Sequence, residues 1–288
     1  MIVIAKKYGR LGNRLILFAH FIAFGIEHNV KIANPSFGDY AEHFQNISDD
    51  LFCRYPSERS LNGNRLMQKL LYLCIWLLTI IRLPFIKYVT LKENQSYNTN
   101  NEQFIRIAQN NKFLFVDGWD FRDSIDLHKH ASIIRTYFAP NKKIQNNIKD
   151  LLGGVKQNYD FLIGIHIRHG DYKNWNNGKY FYELTQYIQI MENIEKIFST
   201  KKIMFVVCSD VKQNVKELSK FQFIFCNNHF VQDMYSLAEC DYIVGPPSTY
   251  SLWSSFYGNV PLYHITDPDA IFDINDFTTY GSLKNADE

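Results

Sequence analysis

The stretch FLIGIHIRHGDY, residues 161–172, constrains the fold of this chain more than any other segment. Its first five residues are apolar or Gly and the apolar character persists to Ile167, which predicts a parallel strand buried on both faces. The strand ends abruptly in polar residues, among them Arg168, His169 and Asp171. Ligands of open α/β sheets bind beyond the carboxyl ends of the strands, where this cluster would lie. Arg168 suits a bidentate grip on a phosphate, and the alternative is an Arg–Asp ion pair that ties a loop to its strand.

The second half of the chain alternates strand-like and helix-like segments. Strands are predicted near 161–167, 203–207, 222–226, 241–245 and 260–265, with helices near 180–198, 211–219, 231–239 and 249–257. This alternation predicts a doubly wound parallel sheet. The likeliest boundary lies between Pro140 and Asp160, so we expect domains at 1–150 and 151–288.

The first half is expected to be a less regular α/β domain. Strands are predicted at 1–5, 30–33 and 113–116, and helices at about 13–27, 124–138 and from Asn141 to the Gly153-Gly154 pair. Residues 35–64 are rich in Asn, Ser, Asp and Gly, so they are predicted to form a loop that could line a substrate cleft.

The charge and the cysteine content of the chain exclude some classes of function. The net charge of +2 and the absence of any block of like charges argue against nucleic acid as the main partner. The five cysteines show no C-x-x-C spacing, and Cys208 and Cys226 fall in apolar runs that predict reduced core residues. We therefore expect neither a zinc site nor a disulfide framework, and a cytoplasmic location. The opening MIVIAKKYGR does not have the order of a secretory signal.

The segment LLYLCIWLLTII, residues 70–81, raises the question of a membrane. Twelve apolar residues fall short of the roughly 20 that span a bilayer. A core helix is the favoured interpretation. The alternative is an interfacial helix at 69–87 that makes peripheral contact with the inner membrane, with Lys69, Arg82 and Lys87 facing anionic headgroups.

Two further strand ends carry polar residues. The strand that ends at Val207 is followed by Cys208, Ser209 and Asp210, and the strand that ends at Val244 is followed by GPPSTYS, residues 245–251. Ser248 can cap the next helix, and a helix start that carries hydroxyls favours an anion. Capping alone would explain Ser248, but Thr249 and Ser251 add hydroxyls and favour phosphate binding. A dinucleotide or P-loop motif is not present.

Three separated motifs resemble the superfamily of α1,2-, α1,6- and protein O-fucosyltransferases. Residues 9–13, GRLGN, resemble its N-terminal loop, and residues 166–171, HIRHGD, resemble its H-x-R-R-x-D motif. Residues 234–253, MYSLAECDYIVGPPSTYSLW, are similar to the C-terminal block of α1,2-fucosyltransferases in glycosyltransferase family 11. The three motifs occur in the family's order and span most of the chain.

The resemblance implies an α/β, GT-B-like fold with two Rossmann-type domains facing across a cleft. Domain 1–150 would offer the acceptor side, and domain 151–288 would bind the nucleotide sugar. The implied reaction transfers fucose from GDP-fucose to a hydroxyl of a glycan acceptor, with inversion and without a cofactor or metal, as in the synthesis of bacterial surface polysaccharide. Arg168 would contact the β-phosphate. The implied donor-binding residues are Arg10, Gly12, Asn13, His169, Ser209, Asp210, Ser248, Thr249 and Ser251.

The chain departs from the family pattern at a few positions. His169 replaces the second Arg of the motif, although nodulation-type α1,6-fucosyltransferases have a similar R-H pair. Pro246-Pro247 and Leu252 also differ, which affects donor identity and acceptor linkage more than phosphate handling. Asp171 and Asp39 are candidates for the catalytic base, although a late proton transfer to the departing phosphate would need none. His166 is also a catalytic candidate, and the favoured alternative is a histidine that orients its neighbours.

The sequence also allows two alternatives to a metal-independent fucosyltransferase. Asp267-Pro268-Asp269 mimics the D-x-D of metal-dependent glycosyltransferases, which would use another nucleotide sugar, but it also fits an Asp/Pro turn. The second rival is a non-catalytic carbohydrate-binding protein on the same scaffold, since aromatic residues make up 16% of the chain.

Overall fold

A computed structural model describes residues 1–57, 63–92 and 95–281 of the chain. The described residues divide into two compact units, one within 1–141 and the other within 142–281. Part of the loop predicted at 35–64, residues 58–62, lies outside the described residues.

Unit 1 is a mixed α/β unit. Its strands are β1 (Ile2–Ile4), β2 (Ile32–Ala33), β3 (Arg54–Tyr55), β4 (Lys87–Thr90), β5 (Tyr97–Asn98), β6 (Leu114–Asp117) and β7 (Phe121–Arg122). Its helices are α1 (Leu11–Glu27), α2 (Arg65–Ile81), α3 (Glu102–Asn110), α4 (Ser124–Lys129) and α5 (Ala131–Tyr137). Five strands form a sheet in the order β3-β2-β1-β6-β4, in which only β3 pairs antiparallel. The buried helix α1 carries Phe18, Phe21 and Phe24, which pack against other aromatic rings of the unit.

Helix α2 corrects the favoured prediction of a core helix. It begins at Arg65, earlier than predicted, and none of its residues is buried. Several of its large apolar side chains face solvent, because one narrow stripe that includes Ile75 and Leu78 suffices to pack it on the unit. The apolar composition of this segment predicts a buried helix, but the rest of unit 1 covers only one side of α2.

Unit 2 contains the predicted doubly wound sheet. Its strands are β8 (Phe161–Ile167), β9 (Ile203–Ser209), β10 (Phe223–Cys226), β11 (Tyr242–Gly245) and β12 (Leu262–His264). Its helices are α6 (Lys142–Lys156), α7 (Leu184–Ile197), α8 (Phe230–Leu237) and α9 (Thr249–Gly258). All pairs in the order β10-β9-β8-β11-β12 are parallel, so the α/β prediction is confirmed and residues 161–167 form the central strand.

The side chains of β8 alternate between two buried layers. Ile163, Ile165 and Ile167 join a core cluster with α7 residues such as Met191. On the opposite face, a Cβ added at Gly164 would lie 2.8 Å from a methyl carbon of Leu237, so glycine allows the close approach of α8. Burial on both faces explains why this strand reads as an apolar run.

Two further predicted helices, one in each unit, differ from the structure. The helix expected at 124–138 is two helices, α4 and α5, because the chain leaves helical geometry at His130. Helix α6 runs through Gly153 and Gly154 to Lys156, and the predicted 150/151 boundary falls inside it. Burial of Ile144, Ile148 and Leu152 on one face of α6 offsets the modest helix cost of the glycines.

Residues 211–219 were expected to form a helix but contain only a 3₁₀ turn at Val215–Leu218. The segment starts as a loop because the Val211 N–H donates to Ser209 Oγ and the Gln213 amide donates to the His169 ring.

The predicted burial of Cys208 and Cys226 is confirmed. All five cysteines are free, and four are buried; Cys74 on α2 is exposed. Burial raises the pKa of Cys208, which keeps this thiol protonated. Among the described residues, the structure contains no helix with the length and apolar character required to cross a bilayer.

Candidate active site

Three loops of unit 2 meet at one edge of the sheet. They follow β8, β9 and β11, which are neighbouring parallel strands whose carboxyl ends lie side by side. Arg168 and His169 follow β8, Asp210 follows β9, and residues 246–248 follow β11. The strand order therefore brings the separated polar segments of the sequence into one cluster.

Arg168 is held by two carboxylates. Its Nη2 donates to Asp171 Oδ1 at 2.6 Å, and its Nη1 lies 3.0 Å from Asp210 Oδ2. The Arg168 side chain is 13% exposed and that of Asp171 is 44% exposed. Nε of Arg168 is buried and makes no hydrogen bond with the described residues. The ion-pair interpretation of Arg168 is thus observed in the structure, and it places a guanidinium with one exposed counter-charge beyond the central strand.

Asp210 organises the loop after β8. Besides pairing with Arg168, its Oδ1 accepts the backbone N–H groups of His169 at 2.9 Å and Gly170 at 3.2 Å. A Cβ at Gly170 would lie 2.4 Å from Asp210 Oδ2, so only glycine lets the backbone come this close. The donor-binding role predicted for Asp210 stays a prediction, whereas its positioning of Arg168 is directly visible.

The ring of His169 is fixed through both nitrogens. Nε2 lies 2.7 Å from the Tyr182 carbonyl oxygen, and Nδ1 lies 3.0 Å from the Gln213 side-chain nitrogen. The Tyr182 carbonyl can only accept, so Nε2 donates to it. Gln213 also donates to Ser209 Oγ at 3.0 Å. His169 therefore braces the loop, and its predicted contact with the donor stays a prediction.

Tyr172 joins the loop after β8 to the loop after β11. Its hydroxyl donates to the Pro247 carbonyl oxygen at 2.5 Å, and its ring lies 5.4 Å from the Arg168 guanidinium carbon. Burial raises the pKa of Tyr172, so the phenol remains a donor at neutral pH. The cation–π contact and the hydrogen bond hold Arg168 beside the start of α9.

Ser248 caps α9, which is one of the two roles that the sequence predicts for it. Its Oγ accepts the Tyr250 N–H at 3.2 Å, while the Ser251 hydroxyl is buried and donates to the Ser248 carbonyl oxygen at 3.1 Å. Thr249 is partly exposed at the first turn. The phosphate-binding role predicted for these three hydroxyls stays a prediction, and Ser251 already stabilises the helix start.

His166 is a buried neutral histidine. It is 3% exposed, and its ring stacks on that of Tyr250 with centroids 4.9 Å apart. Burial, with a smaller contribution from Arg168, lowers the pKa of His166 to about 3. The ring therefore stays neutral at physiological pH, and its predicted role, whether catalytic or orienting, stays a prediction.

The N-terminal motif forms the start of α1 in unit 1. Arg10 precedes the helix and is exposed, Gly12 is buried and Asn13 is partly exposed. Gly9 has a φ of +56°, and a Cβ there would lie 2.1 Å from Asn13 Nδ2, so both the turn and the packing require glycine. The predicted donor contacts of Arg10, Gly12 and Asn13 stay predictions.

The base candidate Asp39 lies in a cationic environment. Lys7 Nζ approaches its carboxylate to 2.7 Å and Arg14 Nη1 to 3.0 Å. Burial acts to raise the pKa of Asp39, but the hydrogen bonds from Lys7 and Arg14 outweigh it and leave the pKa below its usual value. An ion-paired carboxylate of this kind is a weak general base near neutral pH.

The Asp267–Asp269 segment forms a turn. Asp267 Oδ1 accepts the Asp269 N–H at 3.0 Å, as expected of the Asp/Pro turn. Among the described residues, a trio that could hold a metal ion is Glu27, Asp126 and His130, in unit 1. Lys129 Nζ lies 2.7 Å from both Glu27 carboxylate oxygens, so this carboxylate already has a cationic partner.

Three residues of this network are not predicted from the sequence: Tyr172, Tyr187 and Gln213. Tyr187 lies on α7, where its oxygen accepts the Arg168 N–H at 3.4 Å. Tyr172 stands within the quoted motif stretch, but nothing in its spacing indicates a partner after β11. Gln213 was assigned to a helix that does not form, so its side-chain contacts could not be anticipated.

The fold agrees with that of known glycosyltransferases. Arabidopsis thaliana FUT1, as a mutant in complex with GDP, is 12% identical over 92% of this chain and 70% of that chain, with a TM-score of 0.61. Fucosyltransferase NodZ from Bradyrhizobium is 14% identical over 94% of this chain and 97% of that chain, with a TM-score of 0.57. NodZ α-1,6-fucosyltransferase soaked with GDP-fucose is 13% identical over 96% of each chain, with a TM-score of 0.53. These similarities establish the GT-B-like fold.

A family model gives the more specific result. Residues 132–274, which include the whole cluster around Arg168, match the model described as glycosyl transferase family 11. This match confirms the predicted resemblance to glycosyltransferase family 11 over those residues and supports a glycosyltransferase. A comparison with curated protein sequences finds no match.

The two carboxylates on Arg168 allow a matched pair of substitutions. Asp210→Asn removes the charge that fixes Nη1, and we expect kcat for glycosyl transfer to fall roughly 10- to 100-fold because the guanidinium loses its alignment. Asp171→Asn removes the exposed partner, and we expect tighter binding of GDP because a competing anion is gone. Steady-state kinetics and calorimetric GDP titration of both variants measure these effects. Equal GDP affinity in wild type and Asp171→Asn would contradict the competition, and a kcat loss beyond about 100-fold would instead identify Asp171 as the proton acceptor.

Proposed function

We propose that the protein is an inverting, metal-independent fucosyltransferase. It would transfer fucose from GDP-fucose to a hydroxyl of a glycan acceptor, with the α1,2 linkage type that its family 11 motifs imply. The observation that carries this proposal is the position of Arg168, which lies beyond the central strand of unit 2 and beside the start of α9. Solved structures of this fold include one in complex with GDP and one from a crystal soaked with GDP-fucose, which supports a GDP-sugar as the donor.

The proposed chemistry depends on neutralising the leaving group. Cleavage of the sugar–phosphate bond builds positive charge on the sugar ring and negative charge on the departing diphosphate. Arg168 supplies a permanent cation, and the first turn of α9 supplies the positive end of a helix dipole and hydroxyl groups. Groups that are already aimed at developing charge need little reorganisation during the reaction. Such a set can stabilise the diphosphate without a divalent ion.

The exposed carboxylate of Asp171 has two possible duties in this scheme. It could accept the proton of the acceptor hydroxyl, as proposed from the sequence, or it could act only as the counter-charge of Arg168. Proton transfer to the departing phosphate would then replace a protein base. The Asp171→Asn variant described above distinguishes the two duties.

The donor is tested by thermal unfolding of the purified protein with GDP-fucose, GDP-mannose, UDP-galactose, CMP-sialic acid and dTDP-rhamnose. At 100 times its dissociation constant, a bound sugar nucleotide adds about 2.7 kcal/mol to the free energy of unfolding. We expect GDP and GDP-fucose to raise Tm, and UDP, CMP and dTDP sugars to leave it unchanged. Selective stabilisation by a UDP-sugar would overturn the donor assignment.

Turnover is tested separately by the release of GDP from GDP-fucose. Release above a no-enzyme control, undiminished by excess EDTA, is the expected result. Binding without any release, with and without glycan acceptors, would favour the carbohydrate-binding scaffold. Activity abolished by EDTA and restored by a divalent ion would favour the metal-dependent interpretation of Asp267 and Asp269.

A further inference from the structure

Helix α2 presents a continuous apolar face to solvent. Leu66, Leu70, Leu73, Leu77 and Ile80 recur at intervals of three or four residues and are 41–64% exposed. This spacing places the five side chains in one stripe along the helix. Soluble proteins rarely expose a contiguous apolar surface of this kind unless it contacts a partner or a membrane.

The opposite side of α2 holds the helix on unit 1. Ile75 and Leu78 pack with Leu83 against a buried cluster that includes Val3 and Phe115. The Tyr88 hydroxyl donates to the Leu78 carbonyl oxygen at 2.9 Å, and Asn64 Oδ1 caps the helix by accepting the Met67 N–H. The helix is therefore anchored and capped, and its exposed stripe is a fixed feature of the surface.

The apolar surface continues beyond both the stripe and the helix. Phe85, four residues after α2 ends, is 68% exposed, and Trp76 on the helix is 39% exposed. Trp and Phe beside a leucine-rich face are typical of helices that lie at the boundary between lipid headgroups and acyl chains. A helix of 17 residues extends about 26 Å, which suits an orientation in the plane of the bilayer rather than across it.

The charged side chains of the segment 63–92 are all basic. Residues 63–92 contain Arg65, Lys69, Arg82, Lys87 and Lys92 and no Asp or Glu. Arg65 pairs with Glu42, so the excess positive charge lies mainly on Lys69, Arg82 and Lys87, all of which are exposed. A second copy of this face would bring like charges together, whereas anionic headgroups complement them.

We propose that α2 and Phe85 bind unit 1 to the surface of an anionic phospholipid bilayer, with the α2 axis parallel to the membrane plane. The apolar stripe enters the boundary between headgroups and acyl chains, and the basic side chains contact lipid phosphates. This surface does not include the residues around Arg168, so its test is independent of the proposed transfer reaction.

Flotation with vesicles tests the proposal directly. The full chain should float with vesicles of phosphatidylglycerol and phosphatidylethanolamine, and much less with phosphatidylcholine alone, because each basic residue gains from an anionic surface. The double variant Leu73→Gln/Leu77→Gln should bind at least about tenfold more weakly, since it removes two apolar anchors. Ile271→Gln, which changes a side chain that is 98% exposed on unit 2, is the matched control and should bind like wild type.

The exposed thiol of Cys74 supplies a second measurement. It lies on α2, and the other four cysteines are buried, so a polarity-sensitive fluorophore can be attached there in the folded protein. Its emission should shift to the blue on addition of anionic vesicles and return on addition of about 0.5 M salt if charge contributes. Failure to float with anionic vesicles together with an unchanged emission would refute the proposal. Dimerisation in the absence of lipid that Leu73→Gln/Leu77→Gln abolishes would assign the face to a second copy instead.

Discussion

Replacement of Arg168 by Ala is expected to lower kcat for sugar transfer about 100- to 1,000-fold, the loss typical of removing one preorganised donor from developing negative charge. No other Arg occurs among residues 142–288, so unit 2 has no second guanidinium to take its place. Radiolabelled or coupled GDP-release assays at saturating donor measure this loss. Near-normal turnover of Arg168→Ala would refute the assigned role.

Two further variants separate catalysis from folding. Arg168→Lys keeps the positive charge but loses the fork geometry that pairs with Asp171 and Asp210, and it should recover only part of the activity. Arg106→Ala removes a guanidinium whose side chain is 75% exposed on unit 1 and should leave kcat unchanged. Removal of Arg168 also leaves Asp210 partly buried without its cation, so Tm should be measured for each variant.

Replacement of Gly258 by Ala is expected to destabilise unit 2 by about 3 kcal/mol or more, because the new methyl group overlaps the backbone. A Cβ at this last residue of α9 would lie 2.0 Å from the carbonyl oxygen of Ala238, at the end of α8. Since a backbone carbonyl cannot turn aside as a side chain can, the two helices would have to separate. Denaturant unfolding, fitted for the free energy and the m-value, measures the cost.

The same substitution at Gly154 provides the control. Gly154 lies inside α6, and a Cβ added there meets no atom within 4 Å. Gly154→Ala should therefore stabilise the protein by about 0.5–1 kcal/mol through helix propensity alone. A Gly258→Ala protein as stable as wild type would show that α8 and α9 do not require this close contact.

Gly258 also links packing to the proposed site. Its contact lets α9 lie close against α8, and the other end of α9 carries the Ser248 cap beside Tyr172 and Arg168. Gly258→Ala may be compared with wild type for GDP binding at a temperature where both remain folded. We expect weaker binding in the variant, because the start of α9 would be displaced.

The strands that were predicted correctly share a strong local signal. The strand at 161–167 is apolar on both faces because α7 and α8 cover it. Burial on both faces gives a continuous apolar run, which can be recognised in the sequence. Arg168, Asp210 and Ser248 follow strands that were recognised, and the parallel order brings them together. Where strand ends could be located, the candidate site could be located as well.

The errors arose where tertiary contacts override local pattern. Helix α2 has the composition of a core helix, but burial depends on what the rest of unit 1 packs against it. Residues 211–219 have a helical pattern, but the segment is mostly a loop. The Gln213 side chain makes a hydrogen bond with the His169 ring. The double use of Asp210, as ion-pair partner and backbone acceptor, depends on the close approach at Gly170 and leaves no trace in residue spacing.

The pairing of one guanidinium with two carboxylates has a consequence for the end of the proposed catalytic cycle. In that cycle the bound nucleotide would displace Asp171 from Arg168, and the carboxylate could pair with Arg168 again after transfer. Asp171 would then compete with the product GDP for Arg168 and increase the rate at which GDP dissociates. Product inhibition by GDP should accordingly be weak in the wild-type protein and stronger in Asp171→Asn, in which the carboxylate is uncharged.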